Sequence, residues 1–291
     1  MSKLEQTMLN LQTTEWCVVR RAATVLRAHR LIPALSDATL ALFAPDITIA
    51  PFVELYLPAR TVSYDAESIR APKDYARLVA RFAAATRGEW TAENLDARME
   101  TGAQTTRIAF DFAGAPVQWQ IPRLGDWAHS AFDAALARFA ADALNGRFVR
   151  LPTLDQTTAW VYLENAAARD FQNALGLTSD EIIYLLGRVW ATSDALCAIT
   201  VREFLAQHGL AEINRLGRGG QTPLNVAVTS ALQGKRFADE FVTFFVEQGA
   251  RVDVADRTGK TARDLAETHP ALAKRFAQLE RNTRATHVPT K

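Results

Sequence analysis

Apolar residues first recur at helical spacing over residues 14–29, where Trp16, Val19, Ala23 and Leu26 share one face and Pro33 follows the predicted end. Residues 52–57 form a short apolar run between Pro51 and Pro58, which predicts an edge strand. Over residues 73–85, Tyr75, Leu78, Val79 and Phe82 make a helical stripe. The pattern then switches to strict alternation. Leu95, Ala97 and Met99 alternate with polar residues; Ile108, Phe110 and Phe112 share one face, and Val117, Trp119 and Ile121 share the next. The short Ala113-Gly114-Ala115 connection between these two runs predicts a hairpin.

Asp126 is placed to cap a following helix whose buried stripe is Phe132, Leu136, Phe139 and Ala140. Two more strands are predicted over residues 147–151 and 159–163, with Asp155 and Gln156 in the loop between them, and a helix over residues 164–174 closes the region. Strands and helices without strict alternation predict an α+β domain over residues 1–176, an antiparallel sheet with helices against it. Beyond Gly176 the strand signal vanishes. Ser179 or Asp180 is placed to cap a helix carrying Ile182, Ile183, Leu185, Leu186 and Val189, and a second helix over residues 194–207 stops at Gly209.

Residue identities then begin to repeat. Gly220-Gln221-Thr222-Pro223-Leu224-Asn225-Val226-Ala227 is echoed by Gly259-Lys260-Thr261-Ala262-Arg263-Asp264-Leu265-Ala266, with Thr222 and Thr261 39 residues apart. A second echo precedes each block: Phe204-Leu205-Ala206-Gln207-His208-Gly209 and Phe244-Phe245-Val246-Glu247-Gln248-Gly249. Thr222 suits an N-cap, Pro223 the first helical position, and Gly249 a left-handed C-terminal cap after the apolar face of Phe241, Phe244 and Phe245. In these residues the C-terminal third resembles the ankyrin-repeat family.

The resemblance implies stacked helix pairs joined by finger loops over residues 177–283, followed by a flexible tail over 284–291. The family period is about 33 residues, so one repeat carries an insertion, expected over residues 232–236. Asn225 stands where the family usually has His, its amide able to bridge neighbouring loops; Ala262 and Arg263 replace the helix-opening Pro and Leu. The first unit, 178–218, lacks the Thr-Pro-Leu element, and the last, 260–281, is expected to have only a short second helix. Packing the first helix pair against the α+β domain would hide one open end of so short an array.

Composition narrows the partner. Lys and Arg number 33 against 32 Asp and Glu, and the C-terminal part after residue 176 holds 15 basic and 13 acidic residues against 18 and 19 upstream. Neither part has the basic excess of a nucleic-acid binder. Cys17 and Cys197 form no disulfide framework and lack zinc spacing. With no apolar leader and no run long enough to span a bilayer, a cytoplasmic protein outside the membrane is expected, and the Ala- and Arg-rich composition fits a bacterial source.

Catalytic candidates are sparse. His129 lies three residues after Asp126 and reads as a first-turn residue; Asp111 reads as a solvent-facing strand residue. Gly259-Lys260-Thr261 imitates the tail of a phosphate loop, but Val254 holds the position of its first glycine. Trp119, Trp127 and Trp160 read as core packing rather than an aromatic binding surface. No cofactor or metal is expected. The sequence therefore predicts a non-enzymatic protein-binding protein, an immunity or adaptor protein that neutralises a toxin or effector. Its partner face would comprise Arg215, Arg218, Gln221, Asn225, Asp256, Arg257 and Lys260. The alternative is an enzyme or toxin-like effector whose α+β domain is catalytic and whose repeats select the target.

Overall fold

The computed structural model describes residues 2–33, 35–36, 39, 47–99, 104–122, 128–153, 156–210 and 212–286. The chain divides into two compact units, Trp16–Leu175 and a second made of Met1–Glu15 with Gly176–Lys291. The break before Gly176 coincides with the loss of strand patterning. The assignment of the first fifteen residues to the C-terminal unit has no counterpart in the apolar pattern, because the residues they bury include Thr7, Asn10, Thr14 and Glu15.

Trp16–Leu175 is an α+β unit. Helix α1 (Lys3–Ala28) runs across the division; α2 (Ile49–Tyr56), β1 (Thr61–Asp65), α3 (Pro72–Ala85), β2 (Glu93–Met99), β3 (Thr105–Phe112), β4 (Ala115–Pro122), α4 (Ser130–Ala143), β5 (Gly146–Leu151), β6 (Thr157–Glu164) and α5 (Asn165–Leu175) follow. The expected single sheet is instead two three-stranded antiparallel sheets among the described residues, ordered β1-β6-β5 and β2-β3-β4. The predicted strand at 52–57 is the helix α2. Pro51 falls in its first turn, where a missing N–H breaks no helical hydrogen bond, and Ile49, Ala50, Phe52 and Val53 are buried at helical spacing.

The hairpin between β3 and β4 forms as predicted, with Phe112 opposite Ala115 and Ile108 opposite Trp119. Its two turn residues, Ala113 at φ 51° and Gly114 at φ 78°, both take the left-handed conformation that a tight hairpin turn needs. Both sheets point aromatic or aliphatic residues into one core. Tyr64, Phe148, Trp160 and Tyr162 come from one, Ile108, Phe110, Trp119 and Ile121 from the other, and Phe82 on α3 and Phe132 on α4 join them. Phe82 alone has the rings of Tyr64, Phe132, Phe148 and Trp160 within 6.5 Å, centroid to centroid.

The C-terminal unit carries three helix pairs: α6 (Ser179–Thr192) with α7 (Ala195–His208), α8 (Pro223–Leu232) with α9 (Ala238–Glu247), and α10 (Ala262–Glu267) with α11 (Pro270–Thr286). The cap of α6 is Thr178 rather than Ser179 or Asp180: its hydroxyl accepts from the Glu181 N–H, and Glu181 reaches back to the Thr178 N–H. The lengthened connection occupies residues 233–237, where Gly234 and Phe237 are left-handed. The last pair reverses the expected proportions, with a short first helix and a 17-residue second one. That helix runs through 284–286 of the expected tail; residues 287–291 lie outside the described residues.

Residues 3–15 of α1 cover the first pair, along a polar seam. The Lys3 ammonium donates to the Thr192 carbonyl at 2.7 Å, the Thr7 hydroxyl to Cys197 Sγ at 3.1 Å, and the Tyr184 hydroxyl to Asn10 Oδ1 at 2.9 Å. At the far end His208 Nε2 lies 2.5 Å from Glu15 Oε2, both side chains being buried. Thr7, Asn10, Thr14 and Glu15 are all buried while Met8 and Leu9 are exposed. A search for apolar stripes therefore starts this helix too late.

Candidate functional site

The C-terminal unit builds its loop face by repeating one local design. Thr178, Thr222 and Thr261 each precede a helix in extended conformation, and each hydroxyl accepts the N–H three residues on. Before the second and third of these threonines the chain makes the same turn. In the first turn the Gly220 N–H donates to the Gly217 carbonyl at 2.8 Å, and the Gly217 N–H to the Gln221 carbonyl at 2.9 Å. In the second, the Gly259 N–H reaches the Asp256 carbonyl at 3.0 Å, and the Asp256 N–H the Lys260 carbonyl at 2.8 Å. Gly220 at φ 79° and Gly259 at φ 84° hold the position that no other residue type takes cheaply.

Successive layers are stitched by backbone and amide groups. The Arg257 N–H donates to the Gly220 carbonyl at 2.7 Å, and Asn225 Nδ2 to the Lys260 carbonyl at 3.3 Å. Asn214 bridges the same two layers lower down, accepting from the Arg251 N–H at 2.7 Å and donating to the Gly249 carbonyl at 3.3 Å. One layer earlier, Asp180 accepts from the Arg218 N–H at 2.7 Å. A Cβ at residue 217 would stand 2.7 Å from Asp180 Oδ1, so a side chain there would have to displace that carboxylate.

Arg218 and Arg257 occupy the same place in successive turns. The Arg218 side chain is 95% exposed, beside Asp180 at 3.3 Å. Arg257 is exposed but held: its side chain lies flat against the Gly220 backbone, and Nη2 donates to the Arg218 carbonyl at 3.1 Å. Arg215 is exposed and pairs with Glu212 at 2.7 Å; Lys260 is exposed and Gln221 half-buried. Asn225 leaves the expected partner face. It is fully buried, with Oδ1 accepting from the Thr222 hydroxyl at 2.8 Å and the amide N–H spent on Lys260. A packed interior requires such groups to be satisfied internally.

The carboxylates of this face lie at the surface and are engaged by their own turns and caps. Asp256 Oδ1 accepts from the Thr258 N–H at 2.8 Å, the Thr258 hydroxyl at 2.7 Å and the Lys260 N–H at 3.0 Å. The Thr258 hydroxyl first, then these N–H groups, hold its carboxyl below the usual carboxylate range. Asp264 is held down in the same way by the Thr261 N–H that it accepts in the capping box. Asp253 is held down by the two-point pair with the Arg251 guanidinium.

Elsewhere, the second helices α7, α9 and α11 line an open groove of about 390 Å³. Its Arg202 faces Glu240 at 3.7 Å and its Arg275 faces Asp239 at 4.0 Å, and Glu203 and Glu247 leave the lining with an acidic excess.

The α+β unit offers no converging catalytic set among its described residues. Asp111 accepts from Asn94 Nδ2 at 2.6 Å across the strands. His129 is the N-cap of α4, its Nδ1 accepting from the Ala131 N–H at 3.0 Å, so it takes the role expected of Asp126; Asp126 and Trp127 lie outside the described residues. Trp119 and Trp160 are core residues. The polar groups at the core are tyrosines tied to carboxylates. Tyr64 donates to Asp133 at 3.0 Å and Tyr162 to Glu89 at 2.6 Å. Burial first, and the neighbouring carboxylate next, push both phenols well above their ordinary range, and burial raises Asp133 too.

Among the described residues no cluster of three or more His, Cys, Asp or Glu side chains could hold a metal ion, and no helix is long and apolar enough to cross a membrane. Sequence reasoning missed Thr178, although Thr178-x-x-Glu181 is a capping-box pattern. It also missed Glu15 with His208, for which the separation in sequence leaves no local signal. No protein-family model, curated protein or solved structure matches the chain.

Proposed function

We propose that this chain is a non-enzymatic protein-binding protein whose C-terminal unit is a short ankyrin-like array, presenting its turns and first helices to a protein partner. The observation that carries the reading is the stitched pair of turns, in which Arg257 is bonded to Gly220 of the preceding layer and Asn225 to Lys260 of the following one. Such bonds fix the turns before a partner arrives, and a pre-organised face loses little conformational freedom on binding. The proposed face comprises Arg215, Arg218, Gln221, Asp256, Arg257 and Lys260, without Asn225. The role proposed is that of an immunity or adaptor protein in the bacterial cytoplasm, holding a toxin or effector inactive. Free cysteines at Cys17 and Cys197 suit a reducing compartment.

Site-specific photocrosslinking tests this. A photoreactive residue at Gln221 should trap one defined protein in cells of the source organism. The same residue at Glu203, in the groove of the second helices, should trap none. Equal trapping at both positions, or trapping at Glu203 alone, would remove the turn face from the proposal.

A further inference from the structure

We infer that the turn face is built for an acidic protein surface; the inference rests on the proposed role of that face in binding. Its charges differ in how far they are engaged rather than in number. Asp180, Asp256 and Asp264 each accept backbone N–H groups of a turn or cap, and Glu212 is drawn to Arg215. The cations are less engaged. Arg218 is almost wholly exposed although its Nε lies 3.3 Å from Asp180, and Arg257 and Lys260 are exposed with no ion pair among the described residues.

Arg257 is the centre of the inference. Contact with the Gly220 backbone and the bond from Nη2 to the Arg218 carbonyl fix its guanidinium, while the rest of its fork is free to take a carboxylate by two parallel bonds. An arginine already held in place loses little side-chain freedom on binding, which suits it to anchor an interface. Protein is favoured over nucleic acid by two neighbours. Leu216 is 45% exposed between Arg215 and Arg218 and offers apolar contact. The carboxylates among them, still charged, deny the face the continuous basic excess that a ladder of phosphates needs, while single exposed cations such as Arg257 can still pair with separate carboxylates of a protein.

The test uses the full chain and two labelled probes at low salt, an oligomer of glutamate and a short duplex DNA, read by fluorescence anisotropy. The glutamate oligomer should bind, and more tightly than the DNA. Arg218→Glu/Arg257→Glu/Lys260→Glu should weaken that binding by about tenfold or more, while Arg202→Glu in the groove should change it less than about twofold. Circular dichroism confirms folding, and Arg257→Gln/Lys260→Gln serves as a milder variant should the reversal unfold the chain. Tighter binding of DNA would overturn the partner class and leave the face standing. Binding unchanged in both turn variants would overturn the face itself. Failure of the wild-type chain to bind the glutamate oligomer would overturn the acidic partner, while the crosslinking at Gln221 still judges the face.

Discussion

The two units use polar groups in opposite ways. In Trp16–Leu175 the perturbed groups belong to the core. Tyr64, Tyr162 and Asp133 are shifted upward because burial disfavours their charged forms. In the C-terminal unit the perturbed groups are exposed caps and turn carboxylates. Asp194, Asp253, Asp256 and Asp264 are shifted downward by the N–H groups, hydroxyls or guanidinium that they hold. One unit carries its shifted groups around an aromatic core; the other carries them at its surface, apart from its buried polar seam. A binding face is therefore better sought where carboxylates order the backbone than where they are merely desolvated.

Four measurements test that contrast. The largest effect is expected at the centre of the aromatic core. Phe82→Ala should cost about 3–5 kcal/mol, seen as a lowered denaturation midpoint in near-ultraviolet circular dichroism. A loss below about 1 kcal/mol would show that the ring cluster does not hold its unit together.

The polar seam of the other unit comes next. Glu15→Leu and His208→Leu should each cost about 3 kcal/mol, because each strands a buried polar partner. The double variant should recover much of that loss, since neither group is then left unpaired. Strictly additive losses in this double-mutant cycle would mean that the close approach of the two side chains carries no coupling.

Smaller effects are expected from the repeated caps. Thr178→Ala, Thr222→Ala and Thr261→Ala should each cost about 1 kcal/mol in chemical denaturation. Asn225→Ala should cost more than any one cap, about 1–3 kcal/mol, because the bond to the Lys260 carbonyl and the buried bond from the Thr222 hydroxyl are lost together. An Asn225 variant as stable as the wild type would deny the amide its part in joining the layers.

The last contrast is in pH, with directions that differ between the units. Raised phenols at Tyr64 and Tyr162 give stability that is complete below their unfolded value of 10.0 and lost as pH rises beyond it. Raised Asp133 acts with the same sign, its contribution being lost as pH rises above 3.8. Lowered Asp253, Asp256 and Asp264 act with the opposite sign, their contribution being present above 3.8 and lost as pH falls through their folded values. Indole N–H resonances separate the units, with Trp90, Trp119 and Trp160 reporting one and Trp190 the other. Alkali should disturb the first group before the second, and acid the reverse. The same order at both extremes would contradict the assignment of polarity to core and surface.

What was readable in the residues follows the same divide. The α3 stripe, the α4 stripe and the β3–β4 hairpin were legible because one face of each is buried among apolar neighbours. The α2 segment was misread because an apolar run of that length fits a strand or a buried helix turn equally well. At the loop face the echoed glycines and threonines located the turns, since only a left-handed position or a cap demands those residue types. The fate of Asn225 was not legible. An amide at that position can face a partner or the next loop, and only the proximity of the Lys260 carbonyl decides.

By itself, the sequence determined the local grammar: which stretches are amphipathic, where helices are capped, and where the chain must turn with positive φ. These depend on residues a few positions apart, whose geometry the backbone fixes. Tertiary structure alone decided that strands predicted for one sheet form two, and that the first residues of α1 seal the helix pair of α6 and α7 by buried polar contacts. It also decided that the turn carboxylates accept backbone N–H groups while Arg257 and Lys260 stay exposed with no ion pair among the described residues. Each of these depends on groups far apart in the chain finding one another, and the free energy of burying a polar atom is set by the partner it meets there.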